Sequence, residues 1–381
     1  MSSRDMAPPA PHEFEISLFG PGYGESVVIH IGGGQWVLVD CCTNPKRSAA
    51  PLTYLKDLGI DVAEAVKLIV ATHWHDDHVR GISDVLRECE SADFAVSGAL
   101  KTVSFLKLVA LYRGRITPKS SGLDEFARVF QILDERKQIG ALLSSPKLAV
   151  SNRLLFRAAI PLTNGTVEAK VFSLSPSDAS VLKAQLALAG LLPAEGECKK
   201  RICSPSPNHL SVVLWVEVGD HRALLGSDLE KTDDPKTGWS AILDDSNVLS
   251  GKAGIFKVPH HGSESAHEPR VWSDLLSEEP FAALTPFCRG DRLLPTWGDI
   301  RRITTQTPHA YATAPPLKRR YKWTNRVVRD LVAQVSQDMH SVFSGWGQIR
   351  LRCDISEPAN SWQIRLFGNA LRLESGNHSS S

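Results

Sequence analysis

Short apolar runs, cut by glycine and polar clusters, alternate along this chain with longer stretches of helical spacing. Residues 14–41 contain "EISLFG", "SVVIHI" and "QWVLVDCC", separated by glycine-rich breaks, which predicts two or three strands joined by turns. "LTYLKDLGI" predicts a helix. "AVKLIVATH" is an almost unbroken apolar run, as expected of a strand buried on both faces. A cluster of histidines and aspartates follows it, and then "ISDVLRECE" returns to helical spacing. Strand, helix, strand, cluster, helix is the order of a layered α/β fold with its chemistry on loops at strand ends.

Residues 100–145 differ in kind. "LKTVSFLKLVALYRGR" and "LDEFARVFQILDERKQIGALL" place apolar residues at helical spacing with charges between them, so a helical insertion is expected here. "VEAKVFSLSPS" predicts a strand and "DASVLKAQLALAGLL" a helix. "LSVVLWVEVGDHRALLGSDLE" predicts a hairpin turning at Gly219 and Asp220. "GIFKVPHHGS" is a strand ending in histidines, "YKWTNRVVRDLVAQVSQ" a helix, and "GQIRLRCDI" with "SWQIRLFG" a closing strand pair. The expected organisation is a flexible arm at 1–13, one domain over 14–372, and a disordered tail at 373–381.

Composition narrows the class. With 381 residues, 42% hydrophobic and 22% charged, the chain is an ordinary globular protein with enough length for a large core. A net charge of +1 neither favours nor excludes a polyanionic partner, since only a local patch would matter. No apolar run approaches the roughly 20 residues of a membrane span, and the first residues lack the apolar segment of a leader. Seven scattered cysteines form no disulfide framework, which points to a reducing cytoplasm.

The concentrated chemistry lies in "THWHDDH", residues 72–78. A surface loop has no need of three histidines, and a core cannot hold unpaired aspartates. His73 and His75 alternate around Trp74, so both imidazoles can point one way from an extended segment. Asp77 and His78 can face a second position. Further donors sit in similar settings: Asn208 and His209 before a strand, Asp228 after one, and His260 and His261 after another. Histidine nitrogen with aspartate oxygen is a donor set for zinc and its relatives.

With these residues in view, the chain resembles the metallo-β-lactamase fold superfamily, whose HxHxDH signature matches "THWHDDH". Asp40, Asn208-His209, Asp228 and His261 follow in that family's order. The resemblance implies a four-layer αββα sandwich and two divalent metal ions, zinc foremost and manganese second. His73 and His75 with a third-motif residue, His209 in preference to Asn208, would hold one ion, and Asp77, His78 and His261 the other, with Asp228 bridging. Asp40 would support the ligand loop. His260 would orient a ligand or protonate a leaving group. Asp77, His260 and Asp40 are thus the residues tied to the reaction, a hydrolysis by metal-activated water.

A narrower resemblance joins "GYGES", "NHLSVVL", "ALLGSD", "FKVPHHGS" and "LTPFCRGDRLLPTWGDIRRI" to the lactamase-like domain of ComEC-type DNA-uptake competence proteins. It implies nucleic acid as substrate. The chain departs from that branch in its complete HxHxDH loop, in His209, and in the helical insertion. Lys318, Arg319, Arg320, Lys322, Arg326 and Arg329 surround Tyr321 and Trp323, a mixture suited to phosphates and stacked bases. The reading from sequence is therefore a dinuclear hydrolase, a phosphodiesterase or nuclease. A small-molecule hydrolase and a non-catalytic binding subunit are the alternatives, and the insertion is a candidate partner surface.

Overall fold

A computed structural model describes residues 7–21, 24–101, 103–112, 121–138, 145–190, 192, 207–289, 292–316, 345–359 and 361–374. Strands β1 (Glu13–Pro21), β2 (Ser26–His30), β3 (Trp36–Val39), β4 (Val66–Ala71), β5 (Asp93–Ser97) and β6 (Lys147–Ala149) come first in the chain. They are followed by β7 (Arg153–Leu162), β8 (Gly165–Ser173), β9 (Leu214–Val218), β10 (His221–Leu225), β11 (Ala253–Lys257) and β12 (Leu276–Leu284). The last are β13 (Phe287–Arg289), β14 (Arg292–Leu294), β15 (Ala310–Ala312), β16 (Trp346–Asp354), β17 (Gln363–Gly368) and β18 (Leu371–Arg372). One sheet runs β17-β16-β1-β2-β3-β4-β5-β6 and the other β18-β15-β12-β11-β10-β9-β8-β7, with β13-β14 a separate hairpin.

Alternation along the strands builds the layers. Val27, Ile29, Val37, Val39, Leu68 and Val70 face the second sheet, and meet Leu214, Val216, Ala223 and Leu225 from it. Their neighbours Val28, Trp36, Leu38 and Ile69 face helices α1 (Ala50–Asp57), α4 (Ile82–Glu88), α5 (Val103–Tyr112) and α6 (Ser121–Gln138). Two short helices, α2 (Val62–Ala65) and α3 (Asp76–Val79), lie on either side of β4 in the chain. On the far side Trp215, Leu224 and Phe256 join a third core with Trp239, Ile242, Ile300 and Ile303. The last four come from α8 (Gly238–Asp245) and α9 (Trp297–Gln306), while α7 (Asp178–Ala189) precedes β9. The expected αββα sandwich is the fold observed. Each fully buried aliphatic or aromatic side chain in these layers stabilises it by about 1.5–3 kcal/mol.

The predicted hairpin is β9–β10, paired Val218 to His221 across Gly219 and Asp220. The closing pair is β16–β17. The predicted helix at 321–337 and the cations from Lys318 to Arg329 fall outside the described residues. Strand β7 was not legible in the sequence. It lies at a sheet edge with several exposed positions, so no buried alternation marks it. Residues assigned to the flexible arm are tied down: the carbonyls of Pro11 and His12 accept hydrogen bonds from Gly33 and Ile355. Leu373, placed in the tail, is buried and donates its N–H to Ala310. No helix among the described residues is long and apolar enough to cross a membrane.

Candidate metal centre

β3, β4 and β5 are parallel, as are β10, β11 and β12. The C-terminal ends of parallel strands are where such sheets gather ligands. Asp40 follows β3, the His73–His78 loop follows β4, Asp228 follows β10, and His260 and His261 follow β11.

Asp40 organises the loop. Its Oδ1 accepts the Thr72 backbone N–H at 2.8 Å, and its Oδ2 accepts the Thr72 hydroxyl and the His78 Nδ1–H, each at 2.7 Å. Having donated its one proton to Asp40, the Thr72 hydroxyl accepts from His73 Nδ1 at 3.0 Å. His261 Nδ1 donates to the Thr285 carbonyl at 2.9 Å. In this network all three imidazoles carry their proton on Nδ1 and leave Nε2 as the donor atom toward a metal. His75 stands beside His73, with Nδ1 3.1 Å from His73 Nε2.

Two groups of candidate ligands result: a first of His73, His75 and Asp228, and a second of Asp77, His78, Asp228 and His261, with the ligand atoms of each within 4.8 Å of one another. Asp228 belongs to both. Its Oδ2 lies 3.4 Å from His78 Nε2 and 3.6 Å from His261 Nε2, and Asp77 Oδ2 is 3.5 Å from His261 Nε2. Ligand atoms on one tetrahedral zinc stand about 3.3 Å apart, from bond lengths of about 2 Å. Buried His78 Nε2, His261 Nε2 and Asp228 Oδ1 have no hydrogen-bond partner. Orphaned buried donor atoms at that spacing fit divalent metal.

The electrostatics agree. Burial opposes charge on Asp228, but His261, His78 and Lys257 outweigh it and hold its carboxyl well below the usual range. Burial likewise opposes charge on Asp77, and His261, with Nε2 3.5 Å away, together with the charges of His78 and His75 brings its pKa down. Burial disfavours the His78 imidazolium, yet Asp228 and Asp40 raise its pKa well above the ordinary value. His261 is also raised, by Asp228 and Asp77 against burial. His73 is lowered well below the ordinary value by burial and by His78 and His75, and His75 is lowered by burial.

His209 is not brought into either group. The turn Pro207–Leu210 is a 3₁₀ helix, where successive side chains diverge by about a third of a turn. Asn208 therefore points inward, its Nδ2 donating to Glu230 Oε1 at 2.6 Å, while His209 lines the adjoining cavity. Asn208 Oδ1 is buried without a partner, so the inward position in this turn is held by the amide. His260 is not placed as a proton donor. Its Nε2 accepts from Arg292 at 3.0 Å and Asn208 at 3.2 Å, and its Nδ1 lies 2.9 Å from Glu230 Oε1. Both ring nitrogens are engaged in anchoring neighbours.

Sequence reasoning missed Glu25 and Lys257. Lys257 is buried, ion-paired with Glu25, and donates to the Ser227 carbonyl at 2.8 Å, with Asp228 Oδ1 3.9 Å away. The signal was present: a lysine inside an apolar strand run must have a partner. Also unforeseen is Arg302 on α9, which donates to the Gly262 carbonyl at 2.7 Å. It holds a turn in which His260, His261 and Gly262 all have positive φ, a conformation costly for the two histidines.

A cavity of about 770 Å³ is walled by Trp74 of the ligand loop with Leu188, His209, Glu230, Lys231 and Asp234.

A model of the metallo-beta-lactamase superfamily matches residues 19–101, which run from β1 through the His73–His78 loop. With the fold, this match supports that superfamily. No curated protein matches the chain. Among solved structures, the metallo-beta-lactamase fold protein YhfI from Bacillus subtilis is 11% identical, covering 64% of this chain and 70% of that one, with a TM-score of 0.30. MEM-A1, a subclass B3 metallo-beta-lactamase isolated from a soil metagenome library, is 14% identical, covering 70% and 85%, with a TM-score of 0.32. The short form of human tRNase Z is 13% identical, covering 64% and 76%, with a TM-score of 0.30.

Proposed function

We propose that this chain is a dinuclear metal-dependent hydrolase that cleaves phosphodiester bonds of nucleic acid. The observation that carries the two-metal reading is Asp228, which is shared by both ligand groups while the orphaned ring nitrogens of His78 and His261 face it. His73, His75 and Asp228 would hold one ion, and Asp77, His78, His261 and Asp228 the other, zinc being favoured by the imidazole-rich set. Bound ions would supply Lewis-acid activation of water and neutralise charge on the reacting ester. The protein's own contribution is orientation. Asp40 and Thr285 fix the Nδ1–H tautomers, and Lys257 and Glu25 hold the Asp228 turn from behind. The cationic stretch from Lys318 to Arg329 supports the nucleic-acid part of this reading by its composition alone.

The cavity favours a second reading. Its volume is that of a small-molecule site, and Lys183 and Lys231 in its wall are balanced by Glu230, Asp233 and Asp234, which leaves no excess of positive charge for a polyphosphate chain. A compact ester with an apolar group against Trp74 and Leu188 fits it better. The deciding experiment is hydrolysis of labelled single- and double-stranded DNA and RNA with Zn²⁺, Mn²⁺ or Mg²⁺. Asp77→Ala with His78→Ala, purified identically, is the control. Metal-dependent cleavage absent from the control establishes a nuclease. Two bound ions with no cleavage of any nucleic acid would transfer the proposal to small esters.

A further inference from the structure

We propose that the helical insertion, whose described residues join neither ligand group, is a buttress that sets the orientation of the ligand loop through Gly122 and Asp76. This rests on reading the His73–His78 loop as metal-binding. Along that loop the ligand candidates His73, His75 and Asp77 alternate with Trp74 and Asp76, and the insertion holds both of the intervening residues. The N–H of Gly122, in the first turn of α6, donates to Asp76 Oδ1 at 2.8 Å. The Trp74 carbonyl sits so close that a Cβ on Gly122 would lie 2.2 Å from it. Only glycine permits that approach. The Trp74 ring packs edge-on against Phe105 of α5, with centroids 5.7 Å apart, and Phe105 packs edge-on against Phe126 of α6 at 5.4 Å.

The buttress is itself anchored. Ser83 donates its N–H and hydroxyl to Glu125 Oε2, at 3.2 and 2.7 Å. At the other end of α6, buried Arg136 donates to the carbonyls of Leu86, Cys89 and Ala92 at 2.7, 3.0 and 3.2 Å, closing the C-terminal end of α4. The opposite side of the loop is fixed too. Glu25 N–H donates to the Asp77 carbonyl at 2.9 Å, and a Cβ on Gly24 would lie 1.9 Å from that oxygen. The loop is therefore clamped between two glycines, one from the β1–β2 turn and one from the insertion. His75 is extended and caps α3, which begins at Asp76, so holding the Trp74 carbonyl and the Asp76 side chain fixes the backbone on both sides of His75 and the start of the helix that carries Asp77 and His78.

The test uses the full chain. Zn²⁺ binding is titrated calorimetrically and the Co²⁺ absorption spectrum recorded for the wild type, Gly122→Ala, Asp76→Ala and Asp76→Asn, with thermal melts of each. Losing a supporting contact of this kind weakens metal binding by about 10- to 100-fold. That loss, with an altered Co²⁺ spectrum, is expected for Gly122→Ala and Asp76→Ala. Asp76→Asn keeps the Oδ1 acceptor and should bind as the wild type does. If Gly122→Ala fails to fold, the contrast between the two Asp76 variants decides alone. Folded variants with wild-type affinity and spectrum overturn the buttress. A wild type that binds no metal overturns instead the reading of the loop on which it rests.

Discussion

His78 Nδ1 lies 2.7 Å from Asp40 Oδ2, and both side chains are buried. The same carboxylate takes two hydrogen bonds from Thr72, so one aspartate fixes both ends of the ligand loop. All three donors need an oxygen acceptor, and an asparagine offers one oxygen and one N–H₂. Asp40→Asn should therefore behave nearly as badly as Asp40→Ala. Each is expected to weaken metal binding about 10- to 100-fold, as loss of an outer partner of a ligand does. Calorimetric titration with Zn²⁺ checks this, and an Asn variant with wild-type affinity would show that Asp40 does not act through its second oxygen.

Lys257 and Glu25 form a buried ion pair behind Asp228. Breaking such a pair leaves an uncompensated charge and costs about 3–5 kcal/mol. Lys257→Met should destabilise by that amount. Lys257→Met with Glu25→Gln should recover part of it, because the orphaned carboxylate is gone. Urea denaturation of the two single variants and the double variant gives the coupling energy. Additive effects would mean the pair is not coupled in the folded protein.

Much of this site was legible because metal chemistry restricts residue type. Imidazoles and carboxylates at strand ends, spaced by one residue around Trp74, have few other uses. The layered fold was legible from apolar runs such as that of β4. Contacts made across the fold were not legible. Nothing local in "PSPNHLSVV" says that a 3₁₀ turn directs Asn208 inward and His209 toward the cavity. Nothing near Gly122 says that its Cα meets the Trp74 carbonyl 48 positions earlier in the chain. Helical periodicity showed α5 and α6, but which surface they brace depends on tertiary packing.

His30 gives a pH dependence separate from the metal ligands. Burial lowers its pKa from 6.5 to about 4, with a backbone hydrogen bond at Glu13 opposing and the charge of Arg352 assisting. Its Nε2 accepts the Gly34 N–H at 3.1 Å, an interaction that protonation would remove. The unfolded chain takes up the proton first, so stability falls as pH drops from 6.5 toward 4. The loss is ~3 kcal/mol once both states are protonated. His30→Gln keeps an acceptor without titrating, and should flatten the stability curve over that window. Urea midpoints at pH 4, 5, 6 and 7 for both proteins measure it. Parallel curves would rule out His30 as the source.

Asp228 is the one residue common to both ligand groups, whereas His75 belongs only to the first and His261 only to the second. That overlap makes stoichiometry a sharper probe than activity. His75→Ala should leave the second site filled, and His261→Ala the first, each lowering the bound metal by about one ion per chain. Asp228→Ala should empty both, because each loses a ligand and His78 and His261 lose the charge that orients and stabilises them. The metal-free Asp228→Ala protein is also expected to be less stable, by less than the roughly 3–5 kcal/mol of an uncompensated buried charge, since Glu25 still pairs with Lys257 and Asp40 with His78. Elemental analysis of dialysed protein gives the metal count, and denaturation in chelator gives the stability. One firmly bound ion in Asp228→Ala would separate the two half-sites and remove the bridging role, even if hydrolysis were abolished.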